Sequence, residues 1–294
     1  MVVTKMFHKK REIRQTKSKQ SLGVFNLFCL SLSFSLVRSF SHLEVRNRQR
    51  VAKGVSFGLF NMSPSSTNNR SETLMISKMH KFDEGIVKLI LASQSPRRRE
   101  ILDMMGMKGR YTVIPSPLDE SQVQKELSQK KLDPKDYART LAERKAEALG
   151  DVMMKEEFDG VPTFILGSDT IVDLEGKILE KPTDEDCAIR MIQSLAGVWH
   201  KVHTGVALYQ INNHGELHLV ESLTETANVK FAHLSQEDIT AYVKTTEPMD
   251  KAGSYGIQGI GGQIVERLEG DFFAVMGLPM HKLSTMLAKA ISNL

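Results

Sequence analysis

Residues 89–102 most limit what this chain can fold into, because they predict a strand, a turn and a helix in close succession. Residues 87–92 form an apolar run of the length of a buried strand, which stops at Ser93 in a small polar turn. Ser95 is well placed as an N-cap, and Pro96 occupies the first helical position, where a missing N–H costs nothing. A buried strand followed at once by a capped helix indicates an α/β fold.

The first turn of this helix carries the opposite charge to the one that its dipole favours. Arg97 and Arg98 lie where the positive end of a helix favours acidic side chains. Because free N–H groups at a helix start attract anions, the two arginines predict an anionic ligand. A solvated basic face of an amphipathic helix is the alternative, and this segment alone does not decide between the two.

The composition is that of a globular protein whose cysteines are predicted to stay reduced. The 294 residues are 41% hydrophobic and 25% charged, which is enough to bury a sizeable core. The two cysteines, Cys29 and Cys187, lie far apart in unlike contexts, so neither a disulfide framework nor a cysteine-based zinc site is predicted.

The net charge of +4 hides an uneven distribution. Residues 1–60 hold twelve of the 39 Lys and Arg but only two of the 35 acids, Glu12 and Glu44. The remaining residues therefore carry 27 basic and 33 acidic side chains, a net charge of −6. A folded part with this charge does not favour nucleic-acid binding, so we predict no nucleic-acid partner.

Residues 1–84 are predicted to be a leader, and residues 85–294 the folded domain. The leader is rich in serine and basic residues, with an apolar stretch at 22–37 that is short for a membrane span, so no stable membrane association is expected. An organellar transit peptide, a signal peptide, and a true translation start at Met62, Met75 or Met79 all remain open. The predicted compartment is the cytoplasm, or a plastid or mitochondrion if the leader is a transit peptide.

The chain after Glu84 alternates between strand and helix patterns. Beyond the first strand, the predicted strands are 111–115, 164–167 resumed at 171–172 after a break at 168–170, 178–179, 197–210, 216–231, 263–267 and 272–275. Further helices are predicted over 134–149, after a Thr183 N-cap, from the Ser235 and Asp238 capping box to Thr245, and from Pro279 onward.

Polar stretches interrupt the apolar elements at 93–98, 119–120, 168–170 and 250–259. Because strand ends in an α/β sheet gather at one crevice, these stretches are predicted to meet. They would bring together cations (Arg97, Arg98, Lys145, Lys181), carboxylates (Glu120, Asp169) and an amide (Gln258). This set suits a nucleoside triphosphate, since cations bind phosphates, carboxylates hold a divalent ion and activate water, and an amide reads a base edge.

Each of these side chains also has a purely structural interpretation. Asp169 lies in a Ser-Asp-Thr run that is common in turns. Lys145 lies on a charged helix face, where solvated lysines are the rule, and Glu120 can simply cap or solvate a loop.

The polar stretches, taken together, closely resemble the Maf family of nucleoside triphosphate pyrophosphatases. The matching motifs, in order and spacing, are Ser93-Gln94-Ser95-Pro96-Arg97-Arg98, Gly167-Ser168-Asp169-Thr170, Glu180-Lys181-Pro182 and the segment 247–259. The match runs from about Val87 to about Leu287 and leaves the leader outside.

The resemblance implies cleavage of the α–β phosphoanhydride, giving a nucleoside monophosphate and pyrophosphate, with a divalent cation such as Mg²⁺ or Mn²⁺. Asp169 matches the family's proposed proton acceptor. From the residues themselves we predict that Arg98, Lys145 and Lys181 bind the substrate and that Glu120 and Asp169 hold the metal. Arg97, Thr170 and Gln258 match positions associated with base choice, in the combination of the subgroup that acts on dTTP and UTP.

The implied fold is an elongated α/β domain, with a central mixed sheet flanked by helices and a cleft between two lobes, related to the inosine triphosphate pyrophosphatases. The implied role is removal of unwanted nucleotides, including modified pyrimidine nucleotides. The same reaction on 7-methyl-GTP or another modified nucleotide, and a non-catalytic nucleotide-binding regulator, remain alternatives. A homodimer is an assembly that the sequence leaves open.

Overall fold

The computed structural model describes residues 72–155 and 159–294. Residues 1–71 of the predicted leader, including the apolar stretch at 22–37 and Cys29, therefore lie outside the described residues. None of the helices in the described residues combines the length and the hydropathy needed to cross a bilayer.

The strands and helices of the described residues largely follow the predicted order. The strands are β1 (Lys88–Leu91), β2 (Thr112–Val113), β3 (Thr163–Leu174), β4 (Lys177–Leu179), β5 (Trp199–Ile211), β6 (Leu217–Phe231) and β7 (Val265–Glu269). The α-helices are α1 (His80–Asp83), α2 (Pro96–Met104), α3 (Glu120–Gln129), α4 (Pro134–Met153), α5 (Glu185–Leu195), α6 (Gln236–Lys244), α7 (Phe272–Met276) and α8 (Met280–Ser292). Short 3₁₀ turns occupy Met75–Lys78, Glu247–Asp250, Ala252–Ser254 and Ile260–Gln263.

The strands form one mixed sheet in the order β2-β1-β3-β5-β6-β7, with β4 paired to β3. The β2, β1 and β3 strands are parallel, whereas β3, β5, β6 and β7 pair antiparallel. Parallel neighbours need helical crossovers, which here place helices against both faces of the sheet. The predicted α/β fold with a central mixed sheet is confirmed.

The edge of β3 is open in the middle of the strand. The β1 strand stops at Leu91, opposite Leu166, while β4 begins to pair only at Val172. No strand of the described residues pairs with 167–171 on this edge. The resulting gap lies beyond the carboxyl end of β1, which is where α/β sheets place their ligand crevice.

Two hydrophobic clusters share one face of the sheet. The first cluster packs α2 and α8 against Phe164 and Leu166 of β3, and the second packs α5 and α6 against Val172. Between them the same face carries Ser168 and Thr170, because side chains alternate along a strand. The two clusters form the walls on either side of this polar row, as the predicted cleft between lobes requires.

Helix α4 covers the opposite face of the sheet at unusually close range. Side chains Ala142, Ala146 and Leu149 pack against Ile165 and its neighbours. A Cβ atom at Gly167 would lie 2.1 Å from the Ala142 carbonyl oxygen. A Cβ atom at Gly205 of β5 would lie 2.2 Å from the Ala138 carbonyl oxygen. The absence of side chains at these two glycines is what lets α4 approach the sheet.

The folded unit starts earlier than the predicted boundary between residues 84 and 85. Met75 and Phe82 are buried and belong to the same core cluster as α2 and α8. The Met75 amide also donates to Ser284 Oγ in α8 at 3.0 Å. Residues 72–84 show neither a clear hydrophobic period nor a motif, so their sequence does not reveal that they belong to the folded unit.

Several local predictions are wrong for identifiable reasons. The predicted break at 168–170 does not exist, because β5 pairs with β3 continuously from Thr163 to Asp173. Segment 272–275 is the short helix α7 and not a strand, because Asp271 caps it by accepting from the Phe273 amide. Asp184, not Thr183, caps α5 by accepting from the Cys187 amide at 2.7 Å.

Helix α3 was not predicted at all. Asp119 is its N-cap and accepts a hydrogen bond from the Gln122 amide at 3.2 Å. Polar residues dominate this helix, with Leu127 as its buried residue, so the sequence shows too few apolar positions to reveal a helical period. The structure therefore places Glu120 in the first turn of a helix and not in a loop.

We predict that Gly167→Ala destabilises the protein by about 1–3 kcal/mol, the range for an overpacked core, because its new methyl group would overlap a helix backbone. Urea unfolding monitored by circular dichroism would measure the loss. The matched control is Gly150→Ala in α4, whose Cβ would meet the flexible end of the Leu217 side chain. Equal midpoints for wild type and Gly167→Ala would contradict the close packing described here.

Candidate active site

A cleft of about 510 Å³ opens at the unpaired edge of β3. Its walls come from the start of α2, the start of α3, the middle of β3, and the segments 250–258 and 275–277. All the predicted site residues line it, namely Arg97, Arg98, Glu120, Lys145, Asp169, Thr170, Lys181 and Gln258. The predicted convergence of separate polar stretches is therefore what the structure shows.

Asp169 and Thr170 reach this cleft from opposite faces of the sheet. Consecutive strand residues point to opposite sides, so Asp169 lies on the face covered by α4 and Thr170 on the face of α2. Both side chains are accessible from one cleft because no strand covers this edge. The open edge therefore combines groups that a complete sheet would separate.

Lys145 of α4 joins the two carboxylates of the site. Its Nζ atom lies 2.6 Å from Asp169 Oδ1 and 2.8 Å from Glu120 Oε2. The Lys145 residue is only 5% exposed, so the interpretation of a solvated lysine is wrong. Lys145 follows the buried Leu141 by four residues and therefore lies on the same, buried side of α4. The charged residues beside it in the sequence hide this placement.

The pKa values of this group reflect the shared charge. Burial lowers the pKa of the Lys145 ammonium, but the Asp169 and Glu120 carboxylates outweigh it, so the net shift is upward. Burial raises the pKa of Glu120, but the Lys145 charge and hydrogen bond outweigh it, so the net shift is downward. At neutral pH the ammonium and the Glu120 carboxylate are therefore both ionised.

Arg98 is buried and bonded to three different segments. Its Nε donates to the Gly277 carbonyl at 2.9 Å, Nη1 to Ser93 Oγ at 3.0 Å and Nη2 to Thr170 Oγ1 at 3.4 Å. Burial lowers the pKa of its guanidinium, partly offset by the charge of Asp169. Arg98 therefore connects α2, β3 and the end of α7, in addition to lining the cleft.

A directed chain of hydrogen bonds fixes the Thr170 hydroxyl. Thr204 Oγ1 donates to the Ala274 carbonyl at 2.7 Å, so in its 2.9 Å bond with Thr170 it acts as acceptor. Thr170 thus donates its one proton to Thr204 and accepts from Arg98. In this arrangement it can offer a bound ligand only an acceptor.

Arg97 and Gln258 belong to opposite walls that contact each other. Arg97 Nη1 lies 3.3 Å from Asp250 Oδ2, and Gln258 Nε2 donates to Glu100 Oε2 at 2.5 Å. Both contacts connect α2 with the segment 247–259. Because a carboxylate only accepts hydrogen bonds, the contact with Glu100 turns the amide nitrogen of Gln258 toward α2.

Glu180 is a residue near the site to which the sequence gave no role, although it stands beside Lys181. Tyr137 Oη donates to its Oε1 at 2.7 Å, and Gln124 Nε2 donates to its Oε2 at 3.0 Å. Burial raises the pKa of Glu180, and the nearby Asp169 charge raises it further. Glu180 thus holds α3, which carries Glu120, against the strand end that carries Lys181.

Two other contributors were also missed. The Ser93 hydroxyl and the Gly277 carbonyl bind Arg98, and Ser168 Oγ also donates to the Gly277 carbonyl at 3.0 Å. A signal for Ser93 existed, since it lies in the motif before α2. A backbone carbonyl leaves no trace in a sequence, so no signal could have revealed Gly277.

The two carboxylates at the cleft are oxygen donors of the kind that hard divalent cations prefer. Glu120 and Asp169 place carboxylate oxygens on the same ammonium, so the two acids lie side by side at the cleft. Across 72–155 and 159–294, no group of three or more His, Cys, Asp or Glu side chains is arranged to hold a metal. Mg²⁺ typically uses one or two carboxylates and completes its shell with water and phosphate oxygens.

A family model described as Maf-like protein matches residues 88–290 of this chain. The chain belongs to the Maf family. The predicted family is thereby confirmed. The match begins at the first residue of β1 and ends within α8, so it covers every element that lines the cleft.

Proteins similar to this Maf chain carry closely related names. A dTTP/UTP pyrophosphatase of Shewanella oneidensis is 43% identical over 208 residues, covering 69% of this chain and 98% of its own length. One from Caldicellulosiruptor bescii is 42% identical over 202 residues, covering 69% and 94%. A human probable bifunctional dTTP/UTP pyrophosphatase/methyltransferase protein is 40% identical over 210 residues, covering 69% of this chain and 32% of its own length.

A solved structure of a nucleoside-triphosphatase / dITP/XTP pyrophosphatase from Mycobacterium abscessus covers 70% of this chain and 97% of its own. The TM-score is 0.27 and the identity 14%, so this likeness supports no argument about fold or function.

We predict that Lys145→Met costs about 3 kcal/mol of stability at pH 7, the lower end of the range for a broken buried ion pair, because it leaves the buried Asp169 carboxylate and the half-exposed Glu120 carboxylate without their cation. The native pKa of Glu120 lies below its ordinary value, so the wild-type advantage is full above the unfolded pKa. It is lost as pH falls through the native pKa of Glu120.

The stability gap should therefore be full at pH 7 and shrink as pH falls below the unfolded carboxyl pKa of about 4, toward about pH 3. Urea unfolding across this range measures it. The matched control is Lys135→Met, an exposed lysine on the same helix. A gap that stays constant with pH would contradict the shared ion pair.

Proposed function

We propose that this chain hydrolyses the α–β phosphoanhydride of dTTP and UTP to the nucleoside monophosphate and pyrophosphate. The observation that carries the proposal is the meeting of Asp169 with Arg97, Arg98, Lys145 and Lys181 in one cleft. The names of the Maf relatives point to the same pyrimidine substrates. Modified pyrimidine nucleotides fall within the proposed substrate class.

In the proposed mechanism Asp169 acts as the general base. Lys145 holds its Oδ1, which leaves Oδ2 to accept a proton from a water molecule. The oxygen of that water attacks the α-phosphorus, the bond to the bridging oxygen breaks, and pyrophosphate leaves with its electron pair. One water is consumed, and its two protons end on the products or in solvent.

The arginines and Lys181 of the cleft differ in burial. Arg98 is held by three hydrogen bonds, whereas Lys181 is exposed and Arg97 is partly exposed. We assign phosphate binding to Lys181 and Arg97 together with the amino end of α2, where free N–H groups favour anions. Arg98 then supplies positive charge from a fixed position, which requires no rearrangement during the reaction.

Base choice is assigned to Gln258, with Arg97 and Thr170 nearby. Its amide can donate to the O4 atom and accept from the N3–H group of uracil or thymine. The methyl group of thymine adds only about 1–3 kcal/mol of discrimination in a pocket, so one site can accept both bases.

Glu120 and Asp169 are assigned to a divalent cation, Mg²⁺ or Mn²⁺, with the substrate phosphates as the remaining ligands. When bound, such a cation lowers the pKa of nearby water and offsets phosphate charge. Lys145 keeps both carboxylates directed toward the cleft for this purpose.

We predict that Asp169→Asn lowers kcat with UTP by about 10²–10⁴-fold, the usual contribution of a general base, while KM changes little. The full chain with UTP or dTTP and Mg²⁺ should yield the monophosphate and pyrophosphate, separated by ion-exchange chromatography. The matched control is Asp173→Asn, a buried acid on the same strand that does not line the cleft. If wild type binds nucleotides without hydrolysing them, the alternative of a non-catalytic nucleotide-binding regulator is favoured. If it hydrolyses 7-methyl-GTP in preference to UTP and dTTP, the proposed substrate is wrong.

We predict that chelation of divalent ions abolishes pyrophosphate release and that added Mg²⁺ or Mn²⁺ restores it. Glu120→Gln should raise the Mg²⁺ concentration that gives half-maximal rate about tenfold, since one charged ligand is lost. Glu126→Gln on the same helix, where Glu126 pairs with Lys130, is the matched control. Full activity in excess chelator would refute the metal assignment.

For assembly and location we propose a cytoplasmic protein, or a plastid or mitochondrial one if the leader is a transit peptide, and leave a homodimer as the assembly to test. Light scattering of the purified chain and amino-terminal sequencing of the mature protein examine these two points.

A further inference from the structure

The carboxylate of Glu247 lies at the centre of the loop that carries Gln258. Its Oε2 accepts from the Ile260 amide at 2.8 Å, and its Oε1 accepts from the Gly261 amide at 3.0 Å. Tyr242 Oη also donates to Oε1 at 2.9 Å. Three donors from α6 and from the far side of the loop therefore converge on one anion.

Two glycines of the loop lie where the chain wraps closely around this carboxylate and its partner Tyr242. A Cβ atom at Gly259 would lie 2.3 Å from Glu247 Oε2. A Cβ atom at Gly261 would lie 2.3 Å from Tyr242 Oη. The absence of side chains at Gly259 and Gly261 therefore leaves room for Glu247 and for its partner Tyr242.

The hydrogen bonds of the loop favour the ionised form of Glu247. Burial raises the pKa of Glu247, but the bonds from Gly261, Ile260 and Tyr242 outweigh it, so the net shift is downward. An amide in place of the carboxylate would turn one of its own donors toward a backbone N–H. At least one amide of the loop would then lose its acceptor.

The same loop forms one wall of the cleft. Tyr255, Gly256, Ile257 and Gln258 all line it, and Gln258 lies between the parts of the loop bonded to Tyr242 and to Glu247. The Gly256 amide donates to Tyr242 Oη at 3.1 Å, so the loop is held on both sides of Gln258. The Gln258 side chain itself is exposed and rests on Glu100.

We propose that Glu247 is a positioning residue for nucleotide choice: its carboxylate fixes the loop so that the Gln258 amide lies where a pyrimidine base would bind. Glu247 does not line the cleft and acts through Gln258. The inference rests on the proposed function, because it assumes that Gln258 contacts the base of a nucleotide substrate.

A double-mutant cycle tests this role on the full chain. Glu247→Gln should lower kcat/KM for UTP about tenfold, mainly through KM, because the Ile260 or Gly261 amide loses its acceptor and Gln258 loses its position. In the Gln258→Ala background the same change should lower kcat/KM by less than about twofold, since residues acting through one another are not additive. The ratio of kcat/KM for UTP over CTP should fall in both single variants.

The controls separate this role from general stability. Glu266 is an exposed acid of β7 that pairs with Lys230 of β6, and Glu266→Gln should leave kcat and KM unchanged. Tyr242→Phe, which removes one donor to Glu247 and keeps the ring packed, should raise KM in the same direction by a smaller factor. It also provides the test if Glu247→Gln does not fold.

Hydrogen exchange gives a readout that does not depend on turnover. The amides of Ile260 and Gly261 should exchange faster in Glu247→Gln than in wild type, with β3 amides unchanged. The positioning role alone would be overturned by either of two results with an active wild type. One is unaltered exchange of the Ile260 and Gly261 amides in Glu247→Gln. The other is an equal loss of kcat/KM from Glu247→Gln in the wild-type and Gln258→Ala backgrounds. A wild-type chain that hydrolyses no nucleotide would overturn the proposed function and this role with it.

Discussion

The contact of one buried ammonium with two carboxylates governs the arrangement of this molecule. Lys145 Nζ lies within 2.8 Å of both Asp169 and Glu120, which come from a central strand and a peripheral helix. Buried charges are costly unless paired, so this contact limits where α3 can lie against the sheet. Glu180 reinforces it by accepting from Gln124 of α3 and Tyr137 of α4. Two carboxylates facing one cleft are thus a consequence of how three elements pack.

Arg98 performs a comparable task on the other face of the sheet. Its guanidinium lies in the polar row between two hydrophobic clusters and bonds to Ser93, Thr170 and the Gly277 carbonyl. The planar fork of donors suits three acceptors from different segments, which a lysine could not match. The motif before α2 therefore contributes to cleft assembly as well as to charge.

Much of the fold could be predicted because its strands are apolar and its turns have distinct chemistry. The first strand, the Pro96 helix start, the β5–β6 pair and the Ser235 capping box are all present in the structure. The errors fell where local signals misled. Ser168-Asp169-Thr170 has turn composition yet continues a strand, because β5 supplies a complete hydrogen-bonding partner. Helix α3 is too polar to show a period, and a single Asp271 cap decides that 272–276 is helical.

The sequence by itself determined the residues of the site and their family, because four polar motifs in order are a property of the chain alone. Tertiary structure decided what each residue contacts there. The local sequence around Lys145 does not show whether this lysine is solvated or buried. Only the close approach of α4 over Gly167 and Gly205 brings it to Asp169. Asp169 and Thr170 point to opposite faces, and they share a cleft only because the edge of β3 is left open between β1 and β4. Such meetings depend on contacts between distant segments, which no local pattern records.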